Sequence, residues 1–247
     1  MRLLILLMLS IVSAQAVVTI TPVDIGAKPG ISGTLKGSFQ TKRGNTDSDE
    51  YSAATRIAYD NNSSYVVWTD VSFSYAKASG AAYTNKTYAH IRYIHKLYKE
   101  NLDWEAFVQS QTDKFTKIQK RLLSGIGLRY HKVMQKYGSF YIGFGGFAEH
   151  IDYTTSIDPS EDNTRANMYI AYKKAFAKNM KFSYIAYYQP KIDTLSDYIL
   201  SNSVELKVKM YKQLSLNFAV TYNQDSKPAI GIEKYDFSQK TSFMYDF

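Results

Sequence analysis

Apolar and polar residues alternate along most of the chain with a repeat of two. In residues 51–60, for example, Tyr51 and Tyr59 share one face of the pattern and Arg56 lies on the other. Side chains of a β-strand point alternately to opposite faces, so this spacing predicts a strand with one apolar face. Residues 61–64, Asn-Asn-Ser-Ser, follow as a predicted tight turn. The same alternation recurs to the last residue, which predicts an all-β protein.

The pattern contains about twelve such strands. They are predicted near residues 33–41, 50–60, 65–76, 84–95, 101–112, 118–131, 139–151, 164–174, 179–190, 197–209, 213–224 and 234–247. Apolar residues in 84–100 and in 164–181 also fit a helical spacing, so an amphipathic helix is an alternative for both segments. Ten residues that rise about 3.3 Å each and tilt near 45° cover roughly 23 Å, close to the apolar band of an outer membrane. The prediction is therefore a transmembrane, up-and-down, antiparallel β-barrel of about twelve strands.

The connections between strands agree with this architecture. An even number of strands places both ends of a single-chain bacterial barrel on the periplasmic side. Every second connection, beginning with the first, then faces the outside of the cell, and the others face the periplasm. The longest and most polar predicted connection, residues 152–163, belongs to the outward set, whereas the periplasmic connections are mostly short. That asymmetry is expected of a barrel.

The first residues predict export. Met1 and Arg2 precede an apolar run over residues 3–12, and residues 14–16 read Ala-Gln-Ala. One positive charge, about ten apolar residues and an Ala-x-Ala ending predict a signal peptide that is cleaved after Ala16. The alternative, a membrane anchor, would need about 20 apolar residues, which is longer than this run. The expected organisation is a signal peptide at 1–16, a short periplasmic segment at 17–32 and the barrel at 33–247.

Alternation alone does not separate a membrane barrel from a soluble β-protein, but three further features favour the membrane. Charged residues fall almost entirely on one face of each strand, as expected because a lipid-facing Lys or Arg costs about 2–4 kcal/mol at mid-membrane. Aromatic residues gather at strand ends, where the girdles of such barrels lie. The chain ends with Phe243, Tyr245 and Phe247 on one face, which resembles the signal read by the outer-membrane assembly machinery. A soluble periplasmic protein that binds a ligand remains the alternative.

Composition changes this picture in three respects. The 22 tyrosines and 13 phenylalanines suit a surface that meets both apolar and aqueous surroundings. The net charge of +8 is interleaved with acids and lacks the basic stripe that nucleic-acid binding requires, so lipid head groups are the more compatible partner. The absence of cysteine excludes disulfides, thiolate metal sites and a lipoprotein anchor.

Three stretches of the chain carry a family resemblance. They are residues 37–46, which include a Gly-Asn-Thr turn, the glycine-containing stretch 121–130, and the closing hairpin 226–247. Together they resemble a bacterial family of unknown function, the salt-induced outer-membrane proteins, over most of residues 33–247. The resemblance implies an outer-membrane location and a link to salt stress, and it supplies no catalytic residues.

The polar faces of the strands carry charges of both signs, which are expected to face the lumen. The predicted lumen-facing charged residues are Arg56, Asp70, His90, Arg92, Asp103, Glu105, Arg121, Arg129, Arg165, Glu205 and Lys207. A barrel of about twelve strands lies between the filled interior of eight strands and the wide channel of sixteen. The charges therefore either pair into a network that fills the barrel or line a narrow, weakly selective pore. Their near balance favours the network.

Five glycines in the middle of the chain allow two interpretations. Gly125, Gly127, Gly143, Gly145 and Gly146 either make room for bulky lumen side chains or permit barrel curvature. Curvature is the favoured interpretation.

Four histidines, His90, His95, His131 and His150, are the candidates for chemistry. None forms a His-Glu-x-x-His motif or a close pair, so neither a metal site nor a cofactor is predicted. A hydrolase acting on lipid, with His150 or His90 as its base, is an alternative, but no characteristic serine motif accompanies either residue.

The resulting hypothesis is an outer-membrane barrel without enzymatic activity. It is either structural or a narrow channel for ions and small solutes, with a link to salt or osmotic stress. Its expected partners are outer-membrane lipid, lipopolysaccharide and, during biogenesis, the barrel-assembly machinery.

Overall fold

The alternating segments fold into twelve antiparallel strands. The computed structural model of the chain describes residues 22–42, 48–78, 81–97, 101–134 and 136–247. The strands are β1 (Gly30–Lys42), β2 (Ser48–Asp60), β3 (Tyr65–Ala78), β4 (Ala81–Lys96), β5 (Leu102–Asp113), β6 (Ile118–Met134), β7 (Gly138–Tyr153), β8 (Glu161–Ala177), β9 (Met180–Pro190), β10 (Tyr198–Tyr211), β11 (Leu214–Asp225) and β12 (Tyr235–Asp246). The two segments that also fitted a helical spacing are strands β4 and β8, so the helical alternative is wrong. The predicted signal peptide lies outside the described residues.

Each strand pairs with its neighbour in the chain, and β1 pairs with β12 to close the ring. The predicted up-and-down barrel is thereby confirmed. At the closing seam, residues 34–37 pair with residues 243–246. Gly33 and Phe247 add two backbone hydrogen bonds of 2.9 and 3.0 Å, so the last residue of the chain takes part in closure.

The two faces of the wall differ as the alternation requires. Large apolar side chains project outward and are exposed, for example Ile126 at 70% and Phe144 at 64%. The charged side chains in the middle of the same strands point inward, and most of these on β4 to β8 are buried, whereas Lys120, Lys132 and Asp162 lie exposed near strand ends. The barrel is therefore apolar outside and polar inside, the reverse of a water-soluble protein.

Candidate functional site

The inner face of the barrel gathers the charged residues that the sequence singled out. All eleven lie on this face: Arg56, Asp70, His90, Arg92, Asp103, Glu105, Arg121, Arg129, Arg165, Glu205 and Lys207. Register brings opposite charges together, because partners on neighbouring strands share a face. Arg56 lies opposite Asp70, and Asp103 lies opposite Arg129.

On the side formed by β4 to β9, called the filled half below, packed charged and aromatic side chains occupy the interior. Arg129 donates from Nε and Nη2 to Asp103 Oδ2 over 3.0 and 2.7 Å, and the two side chains are 1% and 0% exposed. Arg92 pairs with Glu105 over 3.4 Å, and both are buried. Removal of one member of such a pair would leave an unpaired charge far from water, so these pairs fix the packing of this half.

A carboxylate held between two arginines anchors the outward end of the same half. Arg121 Nε donates to Glu149 Oε1 over 2.7 Å, and Arg165 Nε donates to Oε2 over 2.7 Å. Arg165 also pairs with Asp197 over 2.9 Å. Glu149 and Asp197 were not in the predicted set. Glu149 could have been found, because it shares the inward face of β7 with Phe147 and Ile151.

Aromatic side chains complete the packing of the filled half. Tyr169 on β8 donates from its hydroxyl to Glu105 Oε2 on β5 over 3.1 Å, across two intervening strands. Its ring covers Gly143, where an added Cβ would lie 2.0 Å from a ring carbon. Gly125 is covered in the same way by Phe107 and Phe147. At these two glycines the structure supports the interpretation that they make room for bulky side chains; curvature, the favoured interpretation, stays a prediction.

In the other half of the lumen, lined by β10, β11, β12, β1, β2 and β3, charged inner-face side chains stay partly exposed, although smaller polar ones such as Ser215 and Asn217 are buried. This half is called the open half below. Lys36 on β1 and Glu205 on β10 lie 3.8 Å apart and are 35% and 26% exposed. Their strands are separated by β11 and β12, so the pair lies across this side of the lumen. Arg56 pairs with Asp70 over 2.6 Å, and it also interacts electrostatically with Glu205.

Half-buried inner residues continue from this pair toward both ends of the barrel. Lys207 and Asp246 pair over 2.5 Å near the periplasmic end, and both remain partly exposed. Ser38 and Ser52 lie nearer the outward end, where their hydroxyls are 2.7 Å apart and part-buried. A polar, partly hydrated path therefore follows this side of the wall.

The residues before β1 form a strap, defined here as residues 22–29, at the periplasmic end of the lumen. Arg129 Nη1 donates to the carbonyl of Val23 over 2.9 Å. Tyr141 donates from its hydroxyl to Asp24 Oδ1 over 2.6 Å, and Lys173 pairs with Asp24 Oδ2 over 3.0 Å. The strap thus reaches from β1 to β6, β7 and β8. It lies within the segment 17–32 that was predicted to be periplasmic, of which residues 30–32 belong to β1 instead.

The charge of Asp24 holds the strap in place. Burial opposes its ionisation, but the Lys173 ammonium, the Tyr141 hydroxyl and Arg129 together outweigh burial and hold the pKa of Asp24 below its ordinary value of 3.8. Next to it, Val23 and Ile25 pack against a core cluster that includes Trp68. Ionic and apolar contacts therefore both fix the strap.

At the outward end, the β11–β12 connection, residues 226–234, is hydrogen-bonded to the β5–β6 and β7–β8 connections. The Ile230 N–H donates to Asp158 Oδ1 over 3.1 Å, and Lys117 Nζ donates to the Ile230 carbonyl. The Ile230 N–H and the Thr155 hydroxyl hold the pKa of Asp158 below its usual range. Ala229 lines a polar cavity of about 30 Å³ together with Arg121. That volume holds about two water molecules.

The histidines do not assemble a catalytic group in the part of the chain that the structure describes. His90 is buried, 3.2 Å from Gln109 Oε1. His150 lies 2.8 Å from Asp162 and 3.4 Å from Asp152 on the outward rim, and Ser160 donates to Asp152 rather than to His150. A hydroxyl nucleophile needs direct contact with its base. No group of His, Cys, Asp and Glu among the described residues could hold a metal ion.

The closed ring, its apolar exterior and its charged interior define the class: the chain is an outer-membrane β-barrel protein, and its outer face contacts membrane lipid. Residues 36–247 match the family described as proteins of unknown function, DUF481, and the chain belongs to that family. The expected family relationship and the outer-membrane location are confirmed. The soluble alternative is wrong, because its exterior would have to be polar.

Several solved structures have a similar fold but are distant from this chain in sequence. The COG4313 outer-membrane channel from Pseudomonas putida F1 is 11% identical with a TM-score of 0.55, and the match covers 93% of this chain and 100% of that chain. The NanC porin is 8% identical with a TM-score of 0.51, covering 87% and 97%. The KdgM porin is 11% identical with a TM-score of 0.47, covering 87% and 96%. No curated protein matches the chain.

Proposed function

We propose that the barrel is a narrow, non-enzymatic channel for small ions and polar solutes, and that they pass along the open half of the lumen. The observation that carries this proposal is the contrast between the two halves. Arg129 and Asp103 in the filled half are almost completely buried, whereas Lys36 and Glu205 in the open half are 35% and 26% exposed. The proposal therefore combines the two alternatives: a charge network on one side of the lumen and a passage on the other.

The charges along the passage argue for weak selectivity. Lys36, Arg56 and Lys207 each have an acidic partner on the same wall, namely Glu205, Asp70 and Asp246. Each pair presents one positive and one negative group, so the wall attracts cations and anions to a similar degree. A small hydrated ion of either sign is therefore the expected cargo, and a large solute is not, because the filled half occupies part of the cross-section.

Planar-bilayer recording of the purified, refolded barrel tests this function. We expect discrete conductance steps with a low preference between potassium and chloride. Unfolded protein added at the same concentration serves as the control for detergent and aggregate leaks. A folded, heat-modifiable barrel that gives no conductance steps would refute the channel and leave a structural role.

Two finer proposals concern partners and physiology. Phe243, Tyr245 and Phe247 are exposed on the outer face of the closing strand, which suits a signal read by the assembly machinery. The apolar exterior suits lipopolysaccharide as well as phospholipid. We also propose the link to salt stress that the family resemblance implies. It predicts that a strain without this protein recovers more slowly than its parent after a rise in external sodium chloride.

A further inference from the structure

The closing seam of the barrel is paired over only part of its length. Within the described residues of the two strands, β1 pairs with β12 through residues 33–37 and 243–247. Beyond that point, β1 remains paired with β2 as far as Lys42, and β12 remains paired with β11 as far as Tyr235. The Ser38 hydroxyl contacts Ser52 on β2 rather than β12. Between the described residues 38–42 of β1 and 235–242 of β12, the two strand edges therefore form no backbone ladder.

An unpaired strand edge is costly inside a membrane. Each backbone N–H or C=O left without a partner in hydrocarbon loses its hydrogen bond with no water to replace it. Irregular backbone occurs at membrane depth where it lines a water-filled cavity. The unpaired stretch therefore implies that water from the lumen reaches this seam.

The side chains beside the gap support the same conclusion. Gln239 and Thr241 lie on the outer face of the unpaired stretch of β12, where an amide and a hydroxyl would otherwise face lipid. Their register partners on β11 are the apolar residues Val220 and Phe218. Polar outer-face groups thus lie on the strand that borders the gap, while apolar residues lie one strand away.

Two lysines flank the inner side of the gap. Lys240 lies between Gln239 and Thr241 in the chain and therefore faces inward, where it interacts electrostatically with Lys36 and with Glu50. Lys36 lies at the point where the paired part of the seam ends. Its partner Glu205 is 3.8 Å away, at the limit of an ion pair, so much of its charge remains available. On the outer side, Phe39 and Phe243 are exposed.

We propose that the outward half of the β1–β12 seam is a lateral slot that binds an anionic membrane lipid with a phosphate head group. The acyl chains stay in the membrane beside Phe39 and Phe243, and the phosphate passes between the strand edges to Lys36 and Lys240. A neutral lipid lacks the group that the lysines would bind. The slot explains both the unpaired backbone and the polar residues on the outer face of β12.

Thiol labelling tests whether water reaches the seam. The chain contains no cysteine, so each introduced cysteine is the only reactive site. We expect Thr241→Cys in proteoliposomes to react with a membrane-impermeant maleimide, and its register partner Phe218→Cys to remain unreactive. Equal protection of both positions would overturn the slot, because the seam would then be closed.

Native mass spectrometry of the detergent-extracted barrel tests the ligand. With vesicle-derived phosphatidylglycerol as the probe, we expect Lys36→Gln/Lys240→Gln to retain roughly tenfold less lipid than the parent, the loss expected from charge-assisted hydrogen bonds. Lys207→Gln is the matched control, because its lysine lies at the paired end of the lumen. Equal retention by all three proteins, or equal retention of phosphatidylcholine, would overturn the lipid site. Neither readout requires conductance, so the slot and the channel can fail independently.

Discussion

Replacing Glu205 by glutamine tests whether ions travel through the open half of the lumen. Glu205 lies 3.8 Å from Lys36 and also interacts with Arg56, whose nearer partner is Asp70. These four side chains carry two positive and two negative charges, so the substitution changes their net charge from zero to one positive. Glutamine has nearly the same shape as glutamate. Because the pair is partly exposed, we expect a stability loss of at most about 1 kcal/mol.

The size of the expected effect follows from Coulomb's law. A unit charge acts on an ion about 4 Å away with roughly 1 kcal/mol in water-like surroundings. The barrier for a passing anion falls by about that amount, and the barrier for a cation rises equally. The difference of about 2 kcal/mol corresponds to roughly a 25-fold rise in the chloride-to-potassium permeability ratio, since about 1.4 kcal/mol is a factor of ten. In about 1 M salt the Debye length is roughly 3 Å, and the rise should shrink to a few-fold.

The assay is the reversal potential of single channels across a potassium chloride gradient, measured at low and at high salt. Glu233→Gln is the control, because it makes the same chemical change on the exposed outward connection. An unchanged permeability ratio in Glu205→Gln, in barrels that still conduct, would refute the route along Lys36 and Glu205. Equal effects of both variants would point to a general surface potential instead.

Three other predictions follow from contacts at the two ends and in the filled half. Asp24→Asn should loosen the strap, and so should acid. Because the pKa of Asp24 is lowered from 3.8, the carboxylate's contribution to stability is complete above pH 3.8 and is lost as pH falls through the lower folded-state pKa. Faster proteolysis before β1 in the variant would reveal the loosening, and equal proteolysis rates in variant and parent would contradict it. Glu149→Gln should destabilise the barrel by about 3–5 kcal/mol, because Arg121 and Arg165 lose the carboxylate charge between them. Urea unfolding in micelles measures this free energy, and a loss below about 1 kcal/mol would refute the stabilising role of Glu149 between the two arginines. Deletion of Phe247 should lower the assembled fraction, seen as less heat-modifiable protein in outer membranes, whereas normal assembly would remove the proposed signal.

The twelve strands and the inward direction of the charges could be predicted from the sequence by itself, because both depend on a local property. Side chains of a strand alternate faces, so the position of Arg56 or Glu205 within its own segment already determines which way it points. The helical alternative for β4 arose because short segments with several apolar residues fit both periods. Pairing with β3 and β5 decided the matter, and pairing is not a local property.

Only the tertiary structure decided which charges meet and where the lumen stays open. Glu149 lies between Arg121 and Arg165 because three strands bring them together, and Tyr169 reaches Glu105 because Gly143 leaves room for its ring. The strap likewise joins the residues before β1 to β6, β7 and β8, and the partly paired seam joins β1 to β12. These features depend on the shape of the closed ring and on distances between residues far apart in sequence, which a pattern with a period of two does not contain.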